Sequence, residues 1–143
     1  MKQLIPPLLA LLLLATVQTI KVDPQNSLFV DSFNRSVIFH GVNAVYKTHP
    51  FHPNLVEFSS NDSLTDQDLR NLKHWGMNSI RLHAAWEGVE PQKGVYNYTY
   101  VETLRDILRK CHQFGISVLL DAHQDLFARQ FCGEGLPVWA AQR

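Results

Sequence analysis

Two helical stretches, each closed by a glycine that leads directly into an apolar run, restrict the fold of this chain more than any other feature. The first begins at Thr65, whose hydroxyl suits an N-cap, with Asp66 and Asp68 in the first turn and Leu64 and Leu69 at staple spacing. Leu69, Leu72 and Trp75 share one face, Gly76 ends the helix, and Met77 to Leu82 reads as a strand tipped by His83. The second helix runs from Tyr100 to Phe114, with Val101, Leu104, Leu108 and Cys111 as its apolar stripe. Gly115 closes it, and Ile116 to Leu120 forms a strand that runs out into Asp121, His123 and Asp125. Upstream, His40 to Val45 is mostly apolar and suits a strand buried on both faces. Ahead of it, Leu28–Val30 and Val37–Phe39 flank the polar stretch Asp31–Ser36, the pattern of a β-hairpin.

The order strand, helix, strand, helix, strand implies parallel strands joined by right-handed crossovers. An open doubly wound sheet and the start of an eight-fold barrel both satisfy it. After the first strand stands Asn43-Ala44-Val45-Tyr46 rather than a glycine-rich phosphate turn, so no nucleotide cofactor is expected. Polar residues crowd the C-terminal ends of all three strands: Asn43 and Lys47, Arg81 and His83, His123 and Asp125. In a barrel that end is the catalytic face, which favours the barrel.

Composition narrows the partners. Of 143 residues, 45% are apolar and 18% charged, with Lys+Arg and Asp+Glu at 13 each. A core is expected, and there is no basic footprint for nucleic acid or an acidic membrane surface. Met1 and Lys2 precede an uncharged aliphatic run from Leu4 to Val17, shorter than the roughly 20 residues a spanning helix needs. Residues 1–20 therefore read as a secretory signal peptide, cleaved between Ala15 and Val22, rather than a transmembrane anchor. Asn34, Asn61 and Asn97 begin glycosylation sequons, which agrees with a secreted or lumenal protein. Cys111 reads as a buried helix residue and Cys132 as a loop residue, with no bond expected between them.

Four segments resemble glycoside hydrolase family 5. They are His40–Lys47, Trp75–Leu82, Leu120–Asp125 and the run Phe131-Cys132-Gly133-Glu134-Gly135-Leu136-Pro137, the last being similar to the endoglycoceramidase branch. The resemblance implies an α/β fold, the first three β/α units of a (β/α)8 TIM barrel after a β-hairpin, with residues 21–143 as a partial catalytic domain. It implies hydrolysis of the O-glycosidic bond between oligosaccharide and ceramide in glycosphingolipids. Two glutamates act with retention of configuration, their carboxyls about 5 Å apart. In this family the acid/base follows an asparagine after the fourth strand and the nucleophile ends the seventh. No Asn-Glu dipeptide occurs here, so the chain is expected to stop short of both, and to be inactive and weakly stable alone.

By the same resemblance, Arg81 supports the nucleophile's carboxylate, while His123, Asp125 and Lys47 bind the sugar beside the cleaved bond. A structural ion pair for Arg81 and a plain surface position for Lys47 are the alternatives. Glu87, Glu90, Glu102 and Glu134 read as solvated or dipole-matching carboxylates without a catalytic role; Glu134, between two glycines, is the most tempting of them, and the resemblance makes it structural. His49 and His52, with His40 or His74, make no complete ligand set, so no metal is expected. Tyr96, Tyr98, Tyr100 and Trp86 either stack on sugar or pack a loop against the barrel rim. The rival functions are a family 5 enzyme acting on soluble β-glucan and a noncatalytic secreted glycan-binding protein.

Overall fold

The computed structural model describes residues 19–142, so the expected leader lies almost wholly outside the described residues. The described residues fall into two compact units that meet between Ile38 and Phe39. In the first, β1 (Lys21–Val22) pairs antiparallel with β2 (Phe29–Val30). This corrects the expected hairpin: Phe29–Val30 forms its ladder with the preceding segment, and Val37–Phe39 is not a strand. The polar turn between them is real. The Asp31 carboxylate accepts from the backbone of Phe33 at 2.8 Å and of Arg35 at 3.0 Å, leaving a single Val30–Ser36 bridge behind it.

The second unit runs β3 (Gly41–Ala44), α1 (Asp66–His74), β4 (Ser79–His83), α2 (Trp86–Val89), α3 (Tyr98–Gln113), β5 (Ser117–Asp121). Its strands form one parallel sheet in the order β3-β4-β5, as the alternation requires, and the sheet is open among the described residues. Thr65 caps α1 as expected. Its backbone N–H and hydroxyl both donate to the Asp68 carboxylate, at 2.7 and 2.9 Å, and the Ser63 hydroxyl adds a third bond at 2.7 Å. Gly76 and Gly115 leave the helices with φ of +78° and +63°, backbone that favours glycine. The longer helix begins two residues before its expected start because the Asn97 side chain caps it, accepting from the Tyr100 N–H at 3.1 Å.

The core lies between the sheet and its helices. Ile80 and Leu82 of β4 meet Leu69 and Leu72 of α1 and Leu104, Ile107 and Cys111 of α3. Tyr100 joins it with its hydroxyl tied at both ends, accepting from the Ala85 N–H and donating to the Phe51 carbonyl. Two apolar expectations fail. Strand β3 is exposed over Gly41–Asn43 rather than buried on both faces, with β4 as its one sheet neighbour among the described residues, and Trp75 is 63% exposed, standing past the last turn of α1.

Burial works to raise the Asp68 pKa, but hydrogen bonds from Ser63 and Thr65 outweigh it and hold the carboxyl below its ordinary value. A depressed folded-state pKa stabilises the fold above the unfolded-state value of about 3.9, and that contribution is lost as pH falls through the lower folded value. Urea midpoints should therefore drop in acid. Asp68→Asn should flatten part of that decline and cost about 1 kcal/mol at neutral pH.

Candidate active site

Alternation along β4 sends Ile80 and Leu82 into the core and Arg81 and His83 to the opposite face. In-register pairing sets Asn43 beside Arg81 and His83 beside Asp121, so polar groups from all three strands share that face. The Arg81 guanidinium lies 2.7 Å from Asp121 Oδ2 and donates to His123 Nδ1 at 3.1 Å. A guanidinium only donates, so Nδ1 accepts and the ring hydrogen of a neutral His123 sits on Nε2. That nitrogen is 3.2 Å from Asp125 Oδ2 and 3.7 Å from Glu134 Oε1. The Lys47 ammonium donates to Asp125 and lies 3.3 Å from Glu134 Oε1. Lys47, Arg81, His123 and Asp125 are thus brought together on one rim.

The charges respond to one another. The hydrogen bond to Asp125 raises the Lys47 pKa against desolvation, with Glu134 adding to the rise. The bond from Lys47, then that from His123, hold the Asp125 carboxyl below its usual range. Both groups stay ionised across the neutral range, an acceptor and a donor suited to neighbouring hydroxyls.

Glu134 departs most from expectation. It is 6% exposed, not solvated. Backbone bonds between Asp125 and Glu134, at 3.0 and 2.7 Å, fold its segment tightly onto the chain leaving β5. A Cβ on Gly133 would fall 2.2 Å from the Asp125 carbonyl oxygen, and one on Gly135 2.5 Å from that of His123. Only glycines on both sides allow so close an approach. Behind it lies His83, also buried. Its Nδ1 donates to the Tyr46 carbonyl at 2.8 Å, and its Nε2 faces Glu134 Oε2 at 3.9 Å. Neither carboxylate oxygen of Glu134 has an aligned hydrogen bond.

The other glutamates sort differently. Glu87 is clamped by Arg129 through contacts of 3.0 and 3.2 Å, and Arg129 also donates to the Lys47 carbonyl at 2.7 Å. Glu90 accepts from the Trp86 indole and the Gly94 N–H, which lower its pKa. Only Glu102 keeps the exposed helical position expected for it, pairing with Arg105. Arg81 is partly exposed, and the acid it meets among the described residues is Asp121.

Metal-like spacing also arises away from the histidines considered in the sequence. His123, Asp125 and Glu134 offer ligand atoms within 4.8 Å of one another. The Lys47 ammonium already supplies positive charge to both carboxylates there. Of the aromatic group, Tyr100 is core, Tyr96 and Tyr98 are exposed, and Trp86 packs edge-on against Trp139 at 5.7 Å. Asn34, Asn61 and Asn97 are exposed. Cys111 and Cys132 are unpaired, and burial pushes the Cys111 thiol up to about 11.

Comparison with known proteins agrees with this geometry. The family profile "Cellulase (glycosyl hydrolase family 5)" matches residues 31–141, and the chain belongs to that family. It is 39% identical over 120 residues to an endoglycoceramidase of Hydra vulgaris, covering 84% of this chain and 23% of that protein. It is 42% identical over 121 residues to one of Cyanea nozakii, covering 85% and 24%. The solved endo-glycoceramidase II of Rhodococcus sp., in complex with a five-membered iminocyclitol, superimposes with a TM-score of 0.64. Identity there is 29%, over 79% of this chain and 25% of that one. The chain therefore spans about a quarter of the length of these relatives. Enzymes of the family are TIM barrels, and the described residues hold an open, parallel portion of that architecture.

The tight fit at Gly133 is open to test. Gly133→Ala should force the Asp125 and Glu134 segments apart and cost about 1–3 kcal/mol, read by urea unfolding. An unchanged midpoint means that the close approach does not exist.

Proposed function

We propose that these residues form the first three β/α units, and the sugar-gripping rim, of a secreted retaining glycosidase of the endoglycoceramidase type. Such an enzyme cleaves the bond between an oligosaccharide and ceramide. The reading is carried by the continuous contact from Lys47 through Asp125 and His123 to Arg81, at the C-terminal ends of three parallel strands. Lys47 donates to one sugar hydroxyl, Asp125 accepts from its neighbour, and His123 orients both. Arg81, beside Asp121, offers its remaining donors to an incoming nucleophile carboxylate.

The catalytic carboxylates are assigned to barrel units other than these. All five glutamates of the second unit are placed otherwise: Glu57 is exposed in the loop between β3 and α1, Glu87 holds Arg129, Glu90 holds the Trp86 indole, Glu102 faces solvent on α3 and Glu134 is walled in. The three exposed sequons and the apolar leader support entry into the secretory pathway. No helix among the described residues is long and apolar enough to cross a membrane.

One observation supports a lipid aglycone over a soluble glucan. The loop that brings Asp125 and Glu134 to the polar rim turns Leu126, Phe127 and Phe131 out to solvent. Leu126 and Phe127 have φ of 50° and 77°, strained for such side chains and kept where function repays the strain.

A chimera tests the proposal. Residues 19–142 would replace the matched segment of the Hydra vulgaris endoglycoceramidase, with release of oligosaccharide from a fluorescent glycosphingolipid as the readout. Activity is expected, with a loss of kcat/KM on the order of tenfold or more for Lys47→Ala and for Asp125→Ala. A chimera that cleaves soluble β-glucan but no glycolipid supports the cellulase-like alternative. Unchanged kcat/KM in both variants removes the sugar site. The 143-residue chain alone should give no turnover above a mock control.

A further inference from the structure

We propose that Glu134 is a positioning residue, a walled-in carboxylate that holds the Lys47 ammonium and the His123 imidazole at a fixed separation so that both face one sugar. The inference rests on the reading of the rim as a sugar site. Glu134 Oε1 is the point the two groups share, 3.3 Å from Lys47 Nζ and 3.7 Å from His123 Nε2. Asp125 touches the same two nitrogens, but its side chain is half exposed and that of Glu134 is not. The two acids therefore divide the work. Asp125 stands where hydroxyls arrive and exchanges its partners for them. Glu134 lies behind, out of reach of substrate, and keeps the lysine and histidine in place during that exchange.

The groups around Glu134 fit this role. Lys47 approaches from the loop after β3, His83 from β4, and His123 and Asp125 from the chain after β5, with Arg81 and Asp121 one contact further along. A buried carboxylate without aligned hydrogen bonds is costly, and it persists only beside lasting positive charge. Lys47 supplies that charge, and Glu134 contributes to keeping its proton on. Glu134 is also held by its own backbone, through the bridge to Asp125 that the flanking glycines permit. Glutamine keeps the shape of Glu134 and removes a buried charge, and Lys47, half exposed, keeps Asp125, so the change leaves no buried charge unpaired. A purely structural glutamate would instead reveal itself by a loss of stability.

Lysine side-chain NMR on the 143-residue chain separates these roles, with Lys47 assigned by its disappearance in Lys47→Arg. Lys47 should deprotonate above the ordinary lysine value. Asp125→Asn, at an exposed position, should leave part of that elevation because Glu134 remains. Glu134→Gln should remove the part due to Glu134 while the unfolding midpoint stays level or rises. In the Hydra chimera, Glu134→Gln should lower kcat/KM about tenfold. Return of Lys47 to the ordinary value in Asp125→Asn alone overturns the inference, and this arm does not require Glu134→Gln to fold. A fallen midpoint with Lys47 unmoved in Glu134→Gln also overturns it, leaving a structural residue. An active chimera indifferent to Glu134→Gln overturns the positioning role alone. A folded wild-type chimera without glycosidase activity overturns the sugar reading and this inference with it.

Discussion

The in-register parallel pairing of β3, β4 and β5 governs everything the second unit does. Parallel neighbours must all point the same way, so their C-terminal tips lie at one level and their loops open on one side. Gly76 and Gly115 make the arrangement compact by turning each helix into the next strand within a few residues. Without that pairing, Arg81 on one strand would have no route to Asp121 and His123 on the next. The ion pairs are consequences of the sheet. Most are too exposed to hold it together themselves.

Stability comes instead from one side of the sheet. Ile80 and Leu82 are enclosed by α1 and α3, whereas Leu119 of β5 is 64% exposed and Leu120, on the other face of that strand, 50%. A leucine side chain gains about 1.5–3 kcal/mol from full burial, and β5 forgoes much of that on both faces. In a closed barrel, neighbouring strands and helices cover such positions. The open sheet and the coverage of only about a quarter of each relative describe the same circumstance from two directions.

The helices and the parallel order were legible because apolar period and closing glycines are local signals, and Leu69, Leu72, Leu104 and Cys111 packed as their spacing indicated. Legibility failed where a partner lies far away in the chain. Nothing in Val37–Phe39 discloses that Lys21–Val22 takes the neighbouring edge of β2, and nothing near His40–Val45 discloses that one flank has no strand beside it among the described residues. In the site, strand-end position offers Asn43, Lys47, Arg81, His83, His123 and Asp125 alike, and it is the family resemblance that singles out Lys47, Arg81, His123 and Asp125. His83 and Asp121 could not be ranked, because their roles depend on the face they occupy. Glu134 carries a usable signal in its two flanking glycines, and what the sequence does not disclose is that its carboxylate is buried beside Lys47 and His123. A carboxylate between two glycines is worth suspecting wherever the backbone must approach another segment closely, since burial of the charge follows from the same lack of Cβ atoms.

The loop from Asp125 to Glu134 then joins these threads. Its two ends are stitched by backbone hydrogen bonds, which commits both acidic side chains to the polar rim. Between them Ala128 is buried, while Leu126, Phe127 and Phe131 carry their apolar side chains outward, the first two on left-handed backbone. One short segment therefore separates polar from apolar chemistry across its own width. An amphiphilic substrate demands that separation, because its sugar must shed water onto charged partners while its lipid seeks a dry surface close by. The proposed amphiphilic substrate would use both halves of the segment, a soluble glucan only the inner one.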